Sequence, residues 1–106
     1  WVHCMNQGGR LATIMSSEEN EMVKKKIKKA GHETSYWLSG KRIALPNKWV
    51  WMSTGRSIKF TDWAPGEPNN LLGKEECLDL WFDGNYRWND VDCSNNYIYS
   101  ICEYYD

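Results

Sequence analysis

The sequence lacks an excess of charge of either sign, a long apolar run and an N-terminal segment that resembles a signal peptide. Its 106 residues carry 13 basic and 14 acidic side chains, which argues against a nucleic-acid-binding protein that relies on basic charge. The uncharged stretch from Ser94 to Cys102 is about half as long as a membrane-spanning helix, so we expect no membrane insertion. No apolar segment opens the chain, and we expect that an export signal was removed or never present.

Cysteine is scarce, and its spacing excludes the common metal and redox motifs. The chain has four cysteines without any Cys-x-x-Cys pair, which argues against a zinc ribbon or a thioredoxin-like site. An even number in a short chain is typical of two disulfides in a secreted domain; buried free thiols in a cytosolic protein are the alternative. Spacing alone leaves three pairings open among Cys4, Cys77, Cys93 and Cys102.

Phenylalanine is scarce too, with two residues against seven tryptophans and six tyrosines. A hydrophobic fraction of 42% argues against disorder. Large aromatic side chains supply much of the burial in a small protein, so we expect most of the tryptophans in the core. A chain of this length is expected to form one domain, spanning residues 1–106.

The clearest predicted element is a helix that begins at Ser16 or Ser17 and ends at Gly31. Ser16 and Glu19 have the spacing of a capping box, and glycine is the usual residue just beyond a helix. Acidic residues near the start and lysines near the end match the helix dipole. The buried face is predicted to consist of Met22, Val23, Ile27 and Ala30.

The rest of the chain shows short strand patterns separated by turn residues. Strands are predicted at residues 36–38, 49–52, 77–82, 86–88 and 97–103. Residues 64–76 are rich in proline, glycine and asparagine, which predicts a long loop. An early helix followed by short antiparallel strands indicates an α+β fold.

Carboxylate and amide side chains flank two of the cysteines. The long loop holds Glu67, Asn69 and Glu75, and the last predicted hairpin ends in Asn89 and Asp90. If the cysteine after the loop pairs with the cysteine after the hairpin, these segments converge. Calcium prefers such oxygen ligands, and no histidine or thiolate nearby favours zinc. The residues therefore predict a calcium site, with ordinary polar turn residues as the alternative.

Several separated motifs resemble the C-type lectin domain. The matching segments are Trp37-Leu38-Ser39-Gly40, Glu67-Pro68-Asn69, Glu75-Glu76-Cys77, Trp88-Asn89-Asp90, Cys93 and Ile101-Cys102-Glu103. The stretch from Gly9 to Asn20 is also similar to the family, so the resemblance spans most of the chain. It implies a C-type lectin-like fold with short antiparallel sheets, two helices and a long calcium-binding loop. The family's first strand and most of its first helix are expected to precede Trp1.

The resemblance also implies the covalent bonds and the metal ligands. The implied disulfides are Cys4–Cys102 and Cys77–Cys93. The implied calcium ligands are Glu67, Asn69, Glu75, Asn89 and Asp90. The peptide bond before Pro68 is expected to be cis. A second, auxiliary calcium is not expected, because Lys41 and Arg42 stand where the family usually has acidic ligands.

In family members of this type, two vicinal equatorial sugar hydroxyls complete the calcium shell, and the order Glu67-Pro68-Asn69 resembles mannose-type members. The residues expected to contact the sugar are Glu67, Asn69, Glu75, Asn89, Leu71 and Tyr86. The resemblance implies a secreted lectin, or the ectodomain of a membrane protein, that binds mannose-type glycans on microbial or glycoprotein surfaces. A role in innate immunity rests on the family alone, and oligomers would supply avidity to a weak single site.

Two other functions compete with the lectin hypothesis. The first is a calcium-independent protein-interaction module on the same fold. The second is a glycosidase that uses two of the carboxylates as acid and base. A carboxylate committed to a cation is a poor proton donor, so we expect no enzyme.

Overall fold

The structure, a computed structural model, describes residues 2–70, 73–95 and 98–104. Two α-helices come early in the chain, α1 (Val2–Asn6) and α2 (Ser17–Ala30), on either side of the short strand β1 (Gly9–Leu11). The following strands are β2 (Tyr36–Ala44), β3 (Lys48–Trp51), β4 (Arg56–Ser57), β5 (Glu75–Trp81), β6 (Arg87–Asp92), β7 (Tyr99–Ser100) and β8 (Cys102–Tyr104). The α+β prediction is confirmed.

Helix α2 has the two ends that the sequence predicts. The Ser16 hydroxyl accepts a hydrogen bond of 3.2 Å from the Glu19 amide at the start. At the end, Gly31 has a φ of 75° and its amide donates to the Lys28 carbonyl. A left-handed φ favours glycine because it has no Cβ, so this residue terminates the helix.

The predicted buried face of α2 is partly wrong. Ile27 is buried and Val23 packs against the core, as expected, but Met22 is 56% exposed and Ala30 is exposed in the last turn. The residue that takes the central place is Asn20, only 2% exposed. Met22 lies about 200° around the helix from Asn20, so its side chain projects into solvent.

A larger sheet has the strand order β4-β3-β2-β5-β6, and β7 adds to β2 as its one parallel neighbour among the described strands. Strand β1 pairs with β8 in a separate two-stranded sheet. Within the predicted strand at 97–103, whose first residue Tyr97 lies outside the described residues, the structure has two strands with a break at Ile101. Its amide donates to Trp37 and its carbonyl accepts from Ala12, so the chain crosses there from one sheet to the other.

The core lies between α2 and the larger sheet and is dominated by aromatic rings. Trp88 on β6 is fully buried, and Trp51, Phe60 and Trp63 surround it with ring centroids 5.6, 5.8 and 5.9 Å away. These contacts are edge-to-face, a favourable geometry for aromatic pairs. The prediction that most tryptophans are core residues is confirmed for Trp49, Trp51 and Trp88.

Two disulfides join distant parts of the chain, Cys4–Cys102 and Cys77–Cys93, in the pairing that the resemblance implies. The second bond ties the start of β5 to the residue that follows β6. The Glu67–Pro68 peptide bond is cis, as expected, and so is the Leu45–Pro46 bond. The long loop between β4 and β5 lies beside β6, where the Ala64 amide donates to the Trp88 carbonyl at 2.8 Å.

Candidate metal-binding site

Three carboxylates, one from the long loop and two from neighbouring strands, meet beside the larger sheet. Glu67 comes from the long loop, Glu75 begins β5, and Asp90 lies on β6 opposite Leu78. One oxygen from each of the three lies within 4.8 Å of the others. Among the described residues, this is the one group of three acidic, histidine or cysteine side chains close enough to share an ion.

Asp90 is the anchor of this group and is fully buried. Its Oδ1 accepts a hydrogen bond of 3.0 Å from the Asn69 amide, and its Oδ2 accepts one of 2.6 Å from the Asn70 amide. The Asn70 side-chain oxygen in turn accepts a bond of 3.2 Å from the Glu75 amide. The loop is therefore closed by hydrogen bonds from Asp90 through Asn70 to the start of β5.

Arg42, on β2, is the positive charge that faces the cluster. It is 4% exposed, and its Nη2 donates to Asp90 Oδ2 at 3.0 Å. Its Nη1 donates to the Glu75 carbonyl, and its guanidinium lies 4.9 Å from the ring centroid of Trp49. From the sequence, Arg42 is distinguished only as a residue that stands where the family usually has acidic ligands.

The feature that could have predicted the burial of Arg42 is the alternation of side chains between the two faces of β2. Tyr36, Leu38, Gly40 and Arg42 are all buried, at every second position. We expected a strand of residues 36–38, whereas β2 continues to Ala44. A strand predicted to its full length would have put this arginine on the core-facing side.

The electrostatics of the cluster favour an added cation. Burial, a hydrogen bond with Asp90 and the charges of Asp90 and Glu75 raise the pKa of Glu67 to about 7, against a lowering by the Asn69 amide. The Oε1 atom of Glu67 is buried without a hydrogen-bond partner. A buried oxygen of this kind is costly unless something pairs with it. The three carboxylates and this unpaired oxygen fit a hard divalent cation such as Ca²⁺.

The two predicted amide ligands, Asn69 and Asn89, differ in their position relative to the three carboxylates. Asn69 belongs to it through its amide and through its side-chain nitrogen, which lies 3.4 Å from Glu67 Oε2. Asn89 is half-buried on β6 and pairs with Asp79 of β5, whereas its neighbour Asp90 pairs with Leu78. Because side chains alternate along a strand, Asn89 lies on the opposite face of the sheet from Asp90.

Asp79 is a further acidic residue near the site, and it belongs to none of the sequence motifs. It is 2% exposed, and its Oδ1 atom has no hydrogen-bond partner. Burial raises the pKa of Asp79 to about 7, and the charges of Glu75, Asp90 and Glu67 add to the effect. Asp79 thus adds to the surplus of acidic groups around the cluster.

The two other expected sugar contacts are Leu71 and Tyr86. Leu71 lies outside the residues that the structure describes. The expectation for Tyr86 is wrong, because its ring is 4% exposed and packs against Tyr36 and Phe82. Its hydroxyl donates to the His32 carbonyl at 3.3 Å, so burial of the ring commits Tyr86 to the core.

Comparisons with known proteins agree on one family. The model of the lectin C-type domain matches residues 2–104. Ladderlectin from Oncorhynchus mykiss is 33% identical over 96 residues, which cover 90% of this chain and 50% of that protein. Perlucin from Haliotis laevigata is 33% identical over 102 residues, covering 95% of this chain and 64% of that protein. The chain thus spans about half to two thirds of these relatives.

Solved structures give the same fold. The cow C-type carbohydrate-recognition domain of CD23, solved in the presence of a GlcNAc2Man3 oligosaccharide, superposes with a TM-score of 0.79 and 27% identity. The match covers 95% of this chain and 73% of that one. A calcium-independent type II antifreeze protein superposes with a TM-score of 0.70 and 26% identity, covering 95% and 69%. No helix in the described part of this chain is long and apolar enough to span a bilayer.

Proposed function

This chain belongs to the C-type lectin domain family, and on that premise we propose that it binds mannose-type glycans through a calcium ion. Members of the family are binding proteins rather than enzymes, and we propose the same for this chain. The observation that carries the proposal is the cluster of Glu67, Glu75 and Asp90, whose oxygens lie within 4.8 Å of one another. Three such carboxylates need a cation partner, and one arginine supplies a single positive charge.

The proposed calcium ligands are Glu67, Asn69, Glu75, Asn89 and Asp90. Bound calcium would supply coordination positions for two vicinal hydroxyls of a sugar. Asn89 belongs to this proposed set by the family's ligand pattern, and it is the one of the five whose side chain β6 directs away from Asp90.

Selection among sugars is assigned to the order of acceptors and donors around the ion. A carboxylate accepts a proton from a hydroxyl, whereas an amide nitrogen donates to it. Glu67 with Asn69, and Glu75 with Asn89, each supply one acceptor and one donor to one hydroxyl. Two equatorial hydroxyls in the mannose arrangement would satisfy both pairs.

We also propose that residues 1–106 form one carbohydrate-recognition domain that works outside the cytosol. Its two disulfides support an oxidising environment, either as a secreted protein or as the ectodomain of a membrane protein. One shallow sugar site binds weakly, so useful binding to microbial or glycoprotein surfaces would come from several copies acting together.

The alternative is a calcium-independent protein-interaction module on the same fold. Its supporting observation is the ion pair of 3.0 Å between Arg42 and Asp90, which already partners one of the proposed ligands. A similar fold exists in an antifreeze protein described as calcium-independent. The two functions differ in how binding responds to a chelator.

Retention on immobilised mannan, with calcium and then with excess chelator, tests the proposal. We expect retention in calcium, release by chelator, and competition by free mannose but not by galactose. Glu75→Gln should abolish retention, and Glu76→Gln is the matched control because this neighbouring carboxylate is exposed. Retention of a protein ligand that survives chelator would favour the alternative instead.

A further inference from the structure

Arg42 connects the strand β2 to the start of β5 and to β6. One nitrogen of its guanidinium donates to the carboxylate of Asp90 at 3.0 Å, and another donates to the backbone carbonyl of Glu75. The Nη2 atom also lies 3.4 Å from the side-chain oxygen of Asn47. The side chains of this ion pair are 3% and 0% exposed, so the pair is shielded from solvent.

The partners of Arg42 are the same groups that hold the loop closed. The Asp90 carboxylate that it contacts also accepts the amides of Asn69 and Asn70. The Glu75 residue whose carbonyl it contacts donates its amide to the Asn70 side chain. Removing the guanidinium would therefore leave Asp90 as a buried, unpaired charge at the centre of this network.

Three carboxylates at this separation repel one another, and Arg42 offsets part of that repulsion. An arginine can do this better than a lysine, because its planar fork reaches two acceptors at once with fixed geometry. Its contact with Trp49 holds the guanidinium from the other side. Arg42 binds only the Oδ2 atom of Asp90, so the Oδ1 atom of Asp90 remains for a metal together with Glu67 and Glu75.

We propose that Arg42 is a positioning residue that acts as a built-in cation and keeps the calcium-binding loop assembled when no metal is bound. This inference rests on the proposed function, since it assigns how that site is held ready. The inference implies that the site binds one divalent cation, because the guanidinium of Arg42 takes the place of a second cation. It also implies that the Asn69 and Asn70 amides stay hydrogen-bonded in metal-free protein.

Amide hydrogen exchange in excess chelator tests the metal-free state. In the wild-type chain, the amides of Asn69 and Asn70 should be protected. Arg42→Gln should lower their protection by about tenfold or more, because a buried charge loses its partner. Arg42→Lys should give an intermediate loss, because one ammonium replaces the fork. Arg10→Gln is the matched control, since it removes the Arg10–Glu103 ion pair elsewhere in the chain.

Added calcium separates positioning from a purely structural role. Calcium should restore the protection of both amides in Arg42→Gln and should stabilise this variant more than wild type. If Arg42→Gln lost the same stability with and without calcium, as the control Arg10→Gln should, the proposal would be overturned. Unchanged protection of Asn69 and Asn70 in chelator would also overturn it. Arg42→Lys carries the same comparisons if Arg42→Gln does not fold.

A calcium titration of the wild-type chain by calorimetry keeps the two proposals apart. One ion per chain supports both the site and the single-cation inference. Two ions per chain would overturn the single-cation inference and leave the proposed function standing. No binding would overturn the proposed function, while the comparison of variants in chelator still decides whether Arg42 holds the loop.

Discussion

The indole nitrogen of Trp88 donates a hydrogen bond of 3.1 Å to the side-chain oxygen of Asn20. This contact joins α2 to β6, the strand that carries Asn89 and Asp90. The amide nitrogen of Asn20 donates in turn to Asp62 at 2.8 Å, so both polar atoms of this buried side chain are used. Asn20 thus satisfies two polar groups where the helix meets the strand of the site.

Replacing Asn20 should destabilise the fold without removing any proposed ligand. Asn20→Ala leaves the buried Trp88 nitrogen without an acceptor, and we expect a loss of about 2 kcal/mol in the free energy of unfolding. Urea denaturation measures the loss. Glu21→Ala on the same helix is the control, because Glu21 is exposed. Equal stability of the two variants would contradict this role of Asn20.

Calcium affinity should fall as the solution becomes acidic. The pKa of Glu67 is raised to about 7 without metal, and calcium requires the ionised carboxylate. Below that pKa a proton must leave before the ion binds, so affinity should drop about fivefold from pH 7 to 6, and about tenfold over the next unit. Calorimetric titration at each pH checks this. The same affinity at neutral and mildly acidic pH would remove Glu67 from the ligand set.

The buried Asp79 should make the fold less stable as pH rises. Its pKa is about 7 in the folded chain and about 4 in an unfolded one, so the folded state binds more protons between these values. Stability is therefore lost from about pH 4 to 7, by an amount on the order of 4 kcal/mol. Asp79→Asn cannot ionise, and we expect it to exceed wild type by at least about 1 kcal/mol above pH 7.

Urea unfolding at mildly acidic and at alkaline pH measures the effect of Asp79. The exposed Asp83 provides the control substitution Asp83→Asn, which should leave the pH dependence unchanged. The slope that remains in Asp79→Asn is assigned to Glu67, whose pKa is raised in the same direction. A wild-type chain as stable at alkaline as at mildly acidic pH would refute the assignment.

Exchanging the acceptor and the donor at one sugar hydroxyl should change specificity. The double variant Glu67→Gln with Asn69→Asp swaps their places while keeping two oxygen donors for calcium. We expect its preference to move from mannose towards galactose, as read from competition on mannan and on a galactose resin. If mannose remained the better competitor, the sugar would be held by other residues.

Local features of the sequence were enough for part of the fold. The caps of α2 at Ser16 and Gly31 depend on residues within one turn of each end, so spacing alone predicts them. The loop that carries Glu67 and the turn before β6 are predicted for the same reason. The disulfide pairing, by contrast, came from the resemblance to a family, because four cysteines leave the choice open.

What the sequence by itself determined is the family, the caps of α2, the order of the main strands and the residue types offered to a metal. Only the tertiary structure decided which of those residues meet. It brought Glu67, Glu75 and Asp90 together, set Arg42 against Asp90, placed Asn89 across from Asp79, and turned Tyr86 into the core. The physical reason is that these contacts join residues on different strands and loops, so strand length and register decide them rather than local spacing.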